Sequence, residues 1–329
     1  LAELCIVAAS RAFENDGEVL ATGIGVSALS GNVAAVHVDD GLVTGLELEG
    51  GEAIPGDLFV DCSSARAVAS RVVSDPGFQD WSTWFPCDRM AIASVSAPGC
   101  KDLLAMIEAD DVGWTIQACV ADMLVCTYAY ASGFLGDDAA RDSLARQLGG
   151  VETSDVAVRA LRTGRNSEHW FGNCVALGPA AATLEPMEVS PMHLLQSSVL
   201  RLLAMLPRKK SSPSLAEEFN RTTNAELDEV RDYQLLRYAL ATRSQGPFWE
   251  HVAALECPES LRRRIDLFMS HGRFLRGEPA LFSKAQWISS FVNFGAEPRS
   301  YDPVGDMIDM ERLRAEIDRF RADVAAAAS

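Results

Sequence analysis

The chain has 329 residues, of which 48% are hydrophobic and 23% are charged, and these globular proportions exclude an intrinsically disordered protein. Its 46 acidic and 29 basic residues leave a formal charge of −17, which excludes nucleic acid and anionic membranes as expected partners because phosphate binding needs clustered Lys and Arg. No apolar run could span a bilayer and no signal peptide opens the sequence, so we expect a cytoplasmic protein.

Eight cysteines are scattered along the chain without a C-x-x-C pair. This spacing predicts neither a zinc site nor a redox motif, and no other residues have the spacing of a metal site, so no metal is expected. We expect reduced thiols that are mostly buried beside apolar residues. The sequence opens at Leu1 and not at Met, which favours a true N-terminus upstream.

The first half of the sequence has the pattern of a mixed sheet with helices packed on it. Residues 23–62 alternate and are rich in β-branched side chains, which predicts a strand meander that closes on 56–62. A short helix is expected over 65–73. The following pattern predicts strands over 88–98, 112–120, 123–132, 156–163 and 173–178, with a helix over 137–148.

The C-terminal part changes to apolar residues at helical spacing. The predicted helices cover 192–206, 215–241, 259–270, 284–294 and 306–327. We therefore predict an α/β protein with two parts: mixed sheets in residues 1–190 and a mainly helical region in residues 191–329.

No G-x-G-x-x-G loop for the phosphates of a dinucleotide is found, and 23–28 (G-I-G-V-S-A) favours a loose connection between strands. Residues 173–188 are more informative: N-C-V-A-L-G-P-A-A-A-T-L-E-P-M-E. A strand there ends at a glycine, small residues follow, and two acidic residues flank a turn. Small residues let a ligand or another backbone approach closely, so a binding turn and tight strand–helix packing are both open.

This stretch resembles the second flavin-binding segment of the tryptophan halogenase family, N-C-V-A-L-G-L-A-A-G-F-L-E-P-L-E-S-T. The family's A-D-L-F-I-D-C-S/T-G-F is matched by 56–63, G-D-L-F-V-D-C-S. The resemblance covers roughly residues 15–310. Further matches follow in family order at 80–82, Trp84, 86–89, 220–221, 231–233, 244–249, 281–282 and Trp287.

The resemblance implies a partial FAD-dependent monooxygenase or halogenase fold. Residues 1–190 would be the remnant of a flavin-binding module with an inserted substrate-side sheet, and 191–329 would cover the substrate side. A separate flavin reductase would supply reduced FAD, and oxygen with chloride or bromide would give the hypohalous species that halogenates an electron-rich aromatic ring. The residues that would contact FAD are Asp61, Gly178, Ala180, Ala181, Leu184, Glu185 and Pro186.

The same resemblance assigns the catalytic acid/base to Glu188, a role that suits a buried carboxylate with a raised pKa. The halide would bind at Ser190 and Pro191, although proline has no N–H to donate. These two residues also fit an N-cap followed by proline at the first helical position. Trp114 matches the first tryptophan of the family's W-x-W-x-I-P and is the expected substrate contact. The apolar run after it predicts a buried hairpin.

Two functions follow from the resemblance. The first is an N-terminally truncated halogenase-family oxidoreductase acting on a phenol, pyrrole, indole or carrier-tethered aromatic, with this chain alone expected to be inactive. The second is a degenerate member that binds flavin or a partner without halogenating. A helical interaction module without a cofactor is a third reading of the pattern. The expected partners are a small aromatic substrate, halide, a flavin reductase and a second copy in a homodimer.

Overall fold

The computed structural model describes most of the chain. The described residues are 6–8, 18–22, 29–63, 77–100, 105–120, 122–149, 151–187, 191–207, 212–243, 245–275, 277 and 280–327. The predicted helix over 65–73 and the glycine-containing segment 23–28 lie outside them.

The described strands are short and concentrated before residue 184. In chain order they are β1 (Ile6–Ala8), β2 (Glu18–Thr22), β3 (Leu29–Asp39), β4 (Leu42–Leu48), β5 (Ala53–Pro55), β6 (Phe59–Asp61), β7 (Phe78–Asp80), β8 (Arg89–Ser96), β9 (Met106–Asp110), β10 (Gly113–Val120), β11 (Met123–Tyr130), β12 (Ala157–Ala160), β13 (Gly164–Asn166), β14 (Trp170–Phe171), β15 (Cys174–Ala176) and β16 (Ala182–Thr183).

The described helices lie mainly in the C-terminal part. They are α1 (Asp137–Leu148), α2 (Pro191–Ala204), α3 (Pro213–Ala239), α4 (Pro247–Ala253), α5 (Glu259–His271), α6 (Lys284–Asn293) and α7 (Met310–Ala327), with 3₁₀ turns at Thr153–Asp155, Gly178–Ala180 and Pro303–Met307. The predicted helix over 137–148 and the five predicted C-terminal helices are confirmed. Helix α4 is short and was not predicted.

The strands form two larger antiparallel sheets and two small ones. The first has the order β1-β2-β3-β4-β5, and the second has the order β12-β8-β11-β10-β9. The predicted meander is confirmed only from β3 to β5, because the strand on which it was expected to close, β6, pairs with β15 in another sheet. The small sheets are β16-β13-β7 and β14-β15-β6, and within the latter β15 runs parallel to β6. At the β3–β4 hairpin Asp40 and Gly41 both have positive φ, 47° and 73°, because a two-residue turn of this kind matches the twist of the strands.

The β10–β11 hairpin forms as predicted, but its tip is not buried. Val120 is 58% exposed and Met123 37% exposed, since the strands extend past the helix that covers their other ends. Cys119 near this tip and Cys100 have Cα atoms 5.9 Å apart and are joined as a disulfide, a separation typical of disulfides. The expectation of reduced thiols is therefore wrong for this pair, which no sequence motif marks.

Helix α3 is the centre of the C-terminal region. From Thr223 to Tyr238 the helix is buried on nearly every side. Several of the buried residues in this stretch are polar. The largest buried cluster around it combines Trp81, Trp114 and Met187 with Trp249 and Trp287. This core thus draws residues from both sides of the predicted boundary between 190 and 191, and the division into two parts stays a prediction.

A buried asparagine at the start of β15 ties two sheets together. The Asn173 side chain accepts a hydrogen bond from Val43 N–H (2.9 Å) and donates to the carbonyls of Val43 (2.7 Å) and Asp57 (3.2 Å). Its own carbonyl accepts from Phe59 N–H at 2.8 Å. Asn173 therefore fixes β4 of the meander against the β6–β15 pair.

We expect Asn173→Ala to destabilise the protein by about 2–3 kcal/mol, because it leaves the amide and carbonyl of Val43 buried without their partner. Urea unfolding followed by tryptophan fluorescence measures the loss. The matched control is Asn293→Ala on the exposed surface of α6, which should change stability by less than about 0.5 kcal/mol. Equal losses in the two variants would contradict the role of Asn173.

Candidate functional site

The candidate site begins where two parallel strands end side by side. Ala176 pairs with Asp61, and Leu177 N–H donates to the Asp61 carbonyl at 2.8 Å. The chain then turns at Gly178 into a 3₁₀ turn. Ligands of α/β proteins bind preferentially outside the carboxyl ends of parallel strands. The structure thus brings two predicted flavin contacts, 117 positions apart in the sequence, to such an edge.

Asp61 has one carboxylate oxygen without a partner. Its Oδ1 accepts a hydrogen bond from Ser63 N–H at 2.9 Å. Its Oδ2 is buried and has no hydrogen-bond partner within the described part of the chain. A buried acceptor without a donor is costly. A ligand hydroxyl at this position would supply the missing donor, which is the chemistry that the sugar-like part of a flavin cofactor offers.

Gly178 has a positive φ of 56° that other residues rarely adopt, and a Cβ there would lie 3.4 Å from Leu195 Cδ1 of α2. The glycine therefore lets the turn and α2 approach each other closely. The carbonyls of Ala180 and Ala181 accept from Asn166 Nδ2 (2.8 Å) and Asn166 N–H (2.9 Å). These two alanines can offer a ligand their small side chains but not their carbonyl groups.

Glu185 is buried in the turn that follows β16, between the half-buried Leu184 and Pro186. Tyr238 O–H lies 3.0 and 2.8 Å from its two carboxylate oxygens. Burial raises the pKa of Glu185 to about 8, although hydrogen bonds from Tyr238 and Cys87 lower it. The carboxyl group is therefore protonated over much of the neutral range and is enclosed by the protein.

Helix α3 holds this turn through two residues one helical turn apart. Gln234 Nε2 donates to the carbonyls of Glu185 (2.9 Å) and Met187 (3.2 Å). Tyr238 binds the Glu185 carboxyl from the next turn of the helix. Neither residue was predicted from the sequence as part of the site. No sequence pattern marks them, because buried polar residues are frequent along this helix.

Trp114 on β10 packs in the same aromatic core. Its ring meets Tyr238 edge to face at a centroid distance of 5.4 Å and Trp249 at 5.5 Å. The indole Nε1–H is buried and has no hydrogen-bond partner among the residues that the structure describes. Tyr238 thus connects two predicted site residues, Glu185 and Trp114.

The predicted catalytic residue Glu188 and the predicted halide ligand Ser190 lie outside the described residues. Pro191 is the first residue of α2, as the N-cap and proline pattern predicts. The change from Gly-Phe in the family to Ala182-Thr183 does not strain the backbone, because the two residues form β16 and neither has positive φ.

Among the described residues, no group of three or more His, Cys, Asp or Glu is placed to hold a metal ion. No described helix has the length and apolar content that crossing a membrane requires.

The motifs in this site can be compared with those of known proteins. The family model for tryptophan halogenase matches residues 18–310. The chain belongs to the tryptophan halogenase family. The fold agrees: a flavin-dependent halogenase from Brevundimonas sp. BAL3 superposes with a TM-score of 0.82 and 31% identity, over 90% of this chain and 61% of that one. A flavin-dependent halogenase from Xanthomonas campestris gives 0.84 and 30%, over 90% and 60%.

Two tryptophan halogenases are also similar to this chain in sequence. A tryptophan 7-halogenase from Kutzneria sp. (strain 744) is 29% identical over 238 residues, which are 69% of this chain and 44% of that protein. A tryptophan 6-halogenase from Streptomyces albogriseolus is 25% identical over 284 residues, 82% of this chain and 52% of that protein. The chain spans about half the length of these relatives.

Membership in the tryptophan halogenase family implies FAD as the cofactor, and the residues at the strand ends fit it. Asp61 presents a buried acceptor for which the described residues supply no donor, and the positive φ of Gly178 lets the chain turn just beyond the strand ends. The mixed α/β fold that the sequence predicted is confirmed by the halogenase structures.

Proposed function

We propose that the protein is an FAD-dependent halogenase-family oxidoreductase that acts on an electron-rich aromatic substrate, with reduced FAD supplied by a separate flavin reductase. The observation that carries this proposal is Oδ2 of Asp61, which has no hydrogen-bond partner among the described residues and lies at the carboxyl ends of β6 and β15, beside the turn at Gly178. We further propose a cytoplasmic location. Within the chain, 1–190 would lie on the flavin side and 191–329 on the substrate side.

On the flavin side, Asp61 would accept a hydrogen bond from a cofactor hydroxyl, and the turn that begins at Gly178 would lie beside the cofactor. The alanines at 180 and 181 and the turn from Leu184 to Pro186 would pack along it. FAD, when bound and reduced, would supply the reaction with oxygen that oxidises the halide. Gln234 and Tyr238 would keep the turn in place by holding its carbonyls and the Glu185 carboxyl.

On the substrate side, the proposal assigns three tasks. Glu188 would exchange a proton with the aromatic substrate as general acid/base. The halide would lie near Ser190 and the first turn of α2, where free amides and the helix dipole favour an anion. Because Pro191 contributes no amide hydrogen, fewer donors would hold the halide there. Trp114, with an unpaired indole N–H, would contact the substrate.

The test is bromination of indole by the native protein that carries this chain, with bromide, FAD, NADH and a flavin reductase, followed by mass spectrometry. Because a general acid/base contributes about 10²–10⁴-fold, Glu188→Gln should lower the rate by at least about 100-fold while FAD retention on a desalting column is unchanged. Glu217→Gln, an exposed carboxylate on α3, is the matched control. A wild-type rate for Glu188→Gln would remove Glu188 from the mechanism.

A second function is supported by the hairpin β10–β11. Only Trp114 of the family's W-x-W-x-I-P is present in 114–119, and the hairpin tip exposes apolar residues. A member that binds flavin or a protein partner without halogenating would tolerate both changes. The same assay, run with phenol, pyrrole and indole, separates the two functions: retained FAD with no brominated product from any of them, at any bromide concentration, supports the second function and contradicts the first.

A further inference from the structure

The last helix, α7, carries an apolar stripe that the rest of the described chain does not cover. Its members Met310, Leu313, Ile317, Phe320 and Val324 are spaced alternately by three and four residues. Met310, Ile317, Phe320 and Val324 are 54%, 42%, 68% and 51% exposed, and Leu313 is half-buried. This spacing is the a/d pattern of a coiled coil, with Met310, Ile317 and Val324 at a.

The charged residues of α7 follow the same heptad. The e positions hold Arg314 and Arg321, and the g positions within the helix hold Glu316 and Asp323. The helix has four acidic residues (311, 316, 318 and 323) and four basic residues (312, 314, 319 and 321), so its formal charge is zero. The two helices of a pair therefore do not repel each other through net charge, and the net charge of −17 lies in the rest of the chain.

We propose that α7 binds α7 of a second copy of this chain in a parallel two-stranded coiled coil. In a parallel pair each g residue faces the e residue five positions later on the other helix, so Glu316 of each copy faces the partner's Arg321. An antiparallel pair would place acidic g beside acidic g and basic e beside basic e. β-branched Ile317 and Val324 at a also favour two strands.

The charged side chains can exchange their present partners for these contacts. Within one chain Glu316 pairs with Arg312 at 3.1 Å, and Arg321 pairs with Asp318 at 3.7 Å. All four side chains are more than half exposed. Exposed pairs contribute little to stability, so exchanging them for contacts across the pair costs little.

The pairing surface is separate from the candidate site. The family model ends at residue 310, where α7 begins, and no residue of α7 contributes to the site described above. The apolar surface continues before the helix through the exposed Met307 and Ile308. The proposal therefore does not depend on whether the protein halogenates.

The first experiment measures the mass of the full chain by sedimentation equilibrium over a concentration series. The wild type should change from monomer to dimer as concentration rises. Ile317→Asp with Val324→Asp should remain monomeric at every concentration, because carboxylates would lie in the seam. The control is Ala315→Asp with Ala322→Asp, which adds the same charge at the outward f positions and should dimerise. Circular dichroism checks that each variant keeps its helices.

The second experiment tests the orientation. Glu316→Arg and Arg321→Glu should each weaken self-association about tenfold, because each places like charges opposite one another twice. A 1:1 mixture of the two variants should recover wild-type affinity as a heterodimer, since both pairs are again of opposite sign.

Three results would overturn the proposal. They are a wild type that stays monomeric to high concentration, a dimer that survives Ile317→Asp with Val324→Asp, and tighter association of Glu316→Arg, which is expected of an antiparallel pair.

Discussion

Glu185→Gln is expected to be more stable than the wild type at pH 8 and similar to it near pH 5. The pKa of Glu185 is about 8 in the folded protein, against an ordinary value of 4.5, and burial is the main cause. Between these values the unfolded chain loses the proton that the folded protein keeps, so the wild type loses stability as pH rises through this window. Glutamine keeps the size and neutrality of the protonated acid and has no proton to lose.

The expected difference grows by about 1.4 kcal/mol per pH unit and reaches several kcal/mol by pH 8. Urea unfolding at pH 5, 6.5 and 8 measures it as the free energy of the variant minus that of the wild type. Glu217→Gln on the exposed face of α3 should follow the wild type at all three values. A difference for Glu185→Gln that does not change with pH would show that the carboxyl is already ionised in the folded protein.

The pH dependence of stability expected for Glu185 distinguishes it from Glu188, the other carboxylate of the turn. The sequence alone cannot distinguish the two. Glu185 and Glu188 flank the same proline and are both acidic residues of a family motif. Only the structure shows that Glu185 faces Tyr238 in the interior. The proposed mechanism therefore assigns the acid/base role to Glu188, because the Glu185 carboxyl is buried and hydrogen-bonded to Tyr238.

The sequence predicted the helices and strands in which apolar residues recur at a regular spacing. Helix α1 was predicted with the bounds observed, and α2, α3, α5 and α6 to within a few residues, since each has one apolar face or a long apolar run. The strand ends at Asp61 and Gly178 were found through family motifs. Two- and three-residue strands such as β14 and β16 were missed, because they are too short to show alternation.

The buried polar contacts could not be predicted from sequence patterns. Asn173 belongs to a recognised flavin motif, but its side chain serves to join two sheets. Gln234 and Tyr238 lie within a helix that is buried all round, where periodicity no longer separates core from surface. Such residues are specified by contacts between segments far apart in sequence, which spacing along one segment does not encode.

A second large effect is expected from one of these polar contacts, the ion pairs of Asp232. We expect Asp232→Ala to destabilise the protein. Asp232 Oδ1 accepts from Arg231 Nη2 at 2.8 Å and from Nε at 3.1 Å, and Oδ2 lies 3.9 Å from Arg264 Nε. Burial raises the pKa of Asp232 even though both guanidinium groups lower it. Loss of hydration on burial is therefore the dominant effect on this carboxylate.

Around this carboxylate the two cations lie over aromatic rings. Arg231 is 5.0 Å from the ring centre of Trp84, and Arg264 is 4.8 Å from that of Trp287. Without Asp232 both guanidinium groups would stay buried in this aromatic environment. Removing one partner of a buried ion pair costs about 3–5 kcal/mol. Arg231 keeps Asp228 at 3.4 Å, so we expect the lower end, about 3 kcal/mol.

Urea unfolding of Asp232→Ala at pH 7 measures this loss, and two variants identify its cause. Asp232→Asn keeps the shape and one acceptor but removes the charge. A smaller but clear loss of stability in this variant would therefore be the part that is due to the charge. Glu218→Ala removes the partner of Arg221 from a pair on the same helix that is just as short, 2.7 Å, but exposed, and should leave stability unchanged because water solvates both ions. If Asp232→Ala lost as little stability as Glu218→Ala, burial would not be the reason that the Arg231–Asp232–Arg264 contact stabilises the protein.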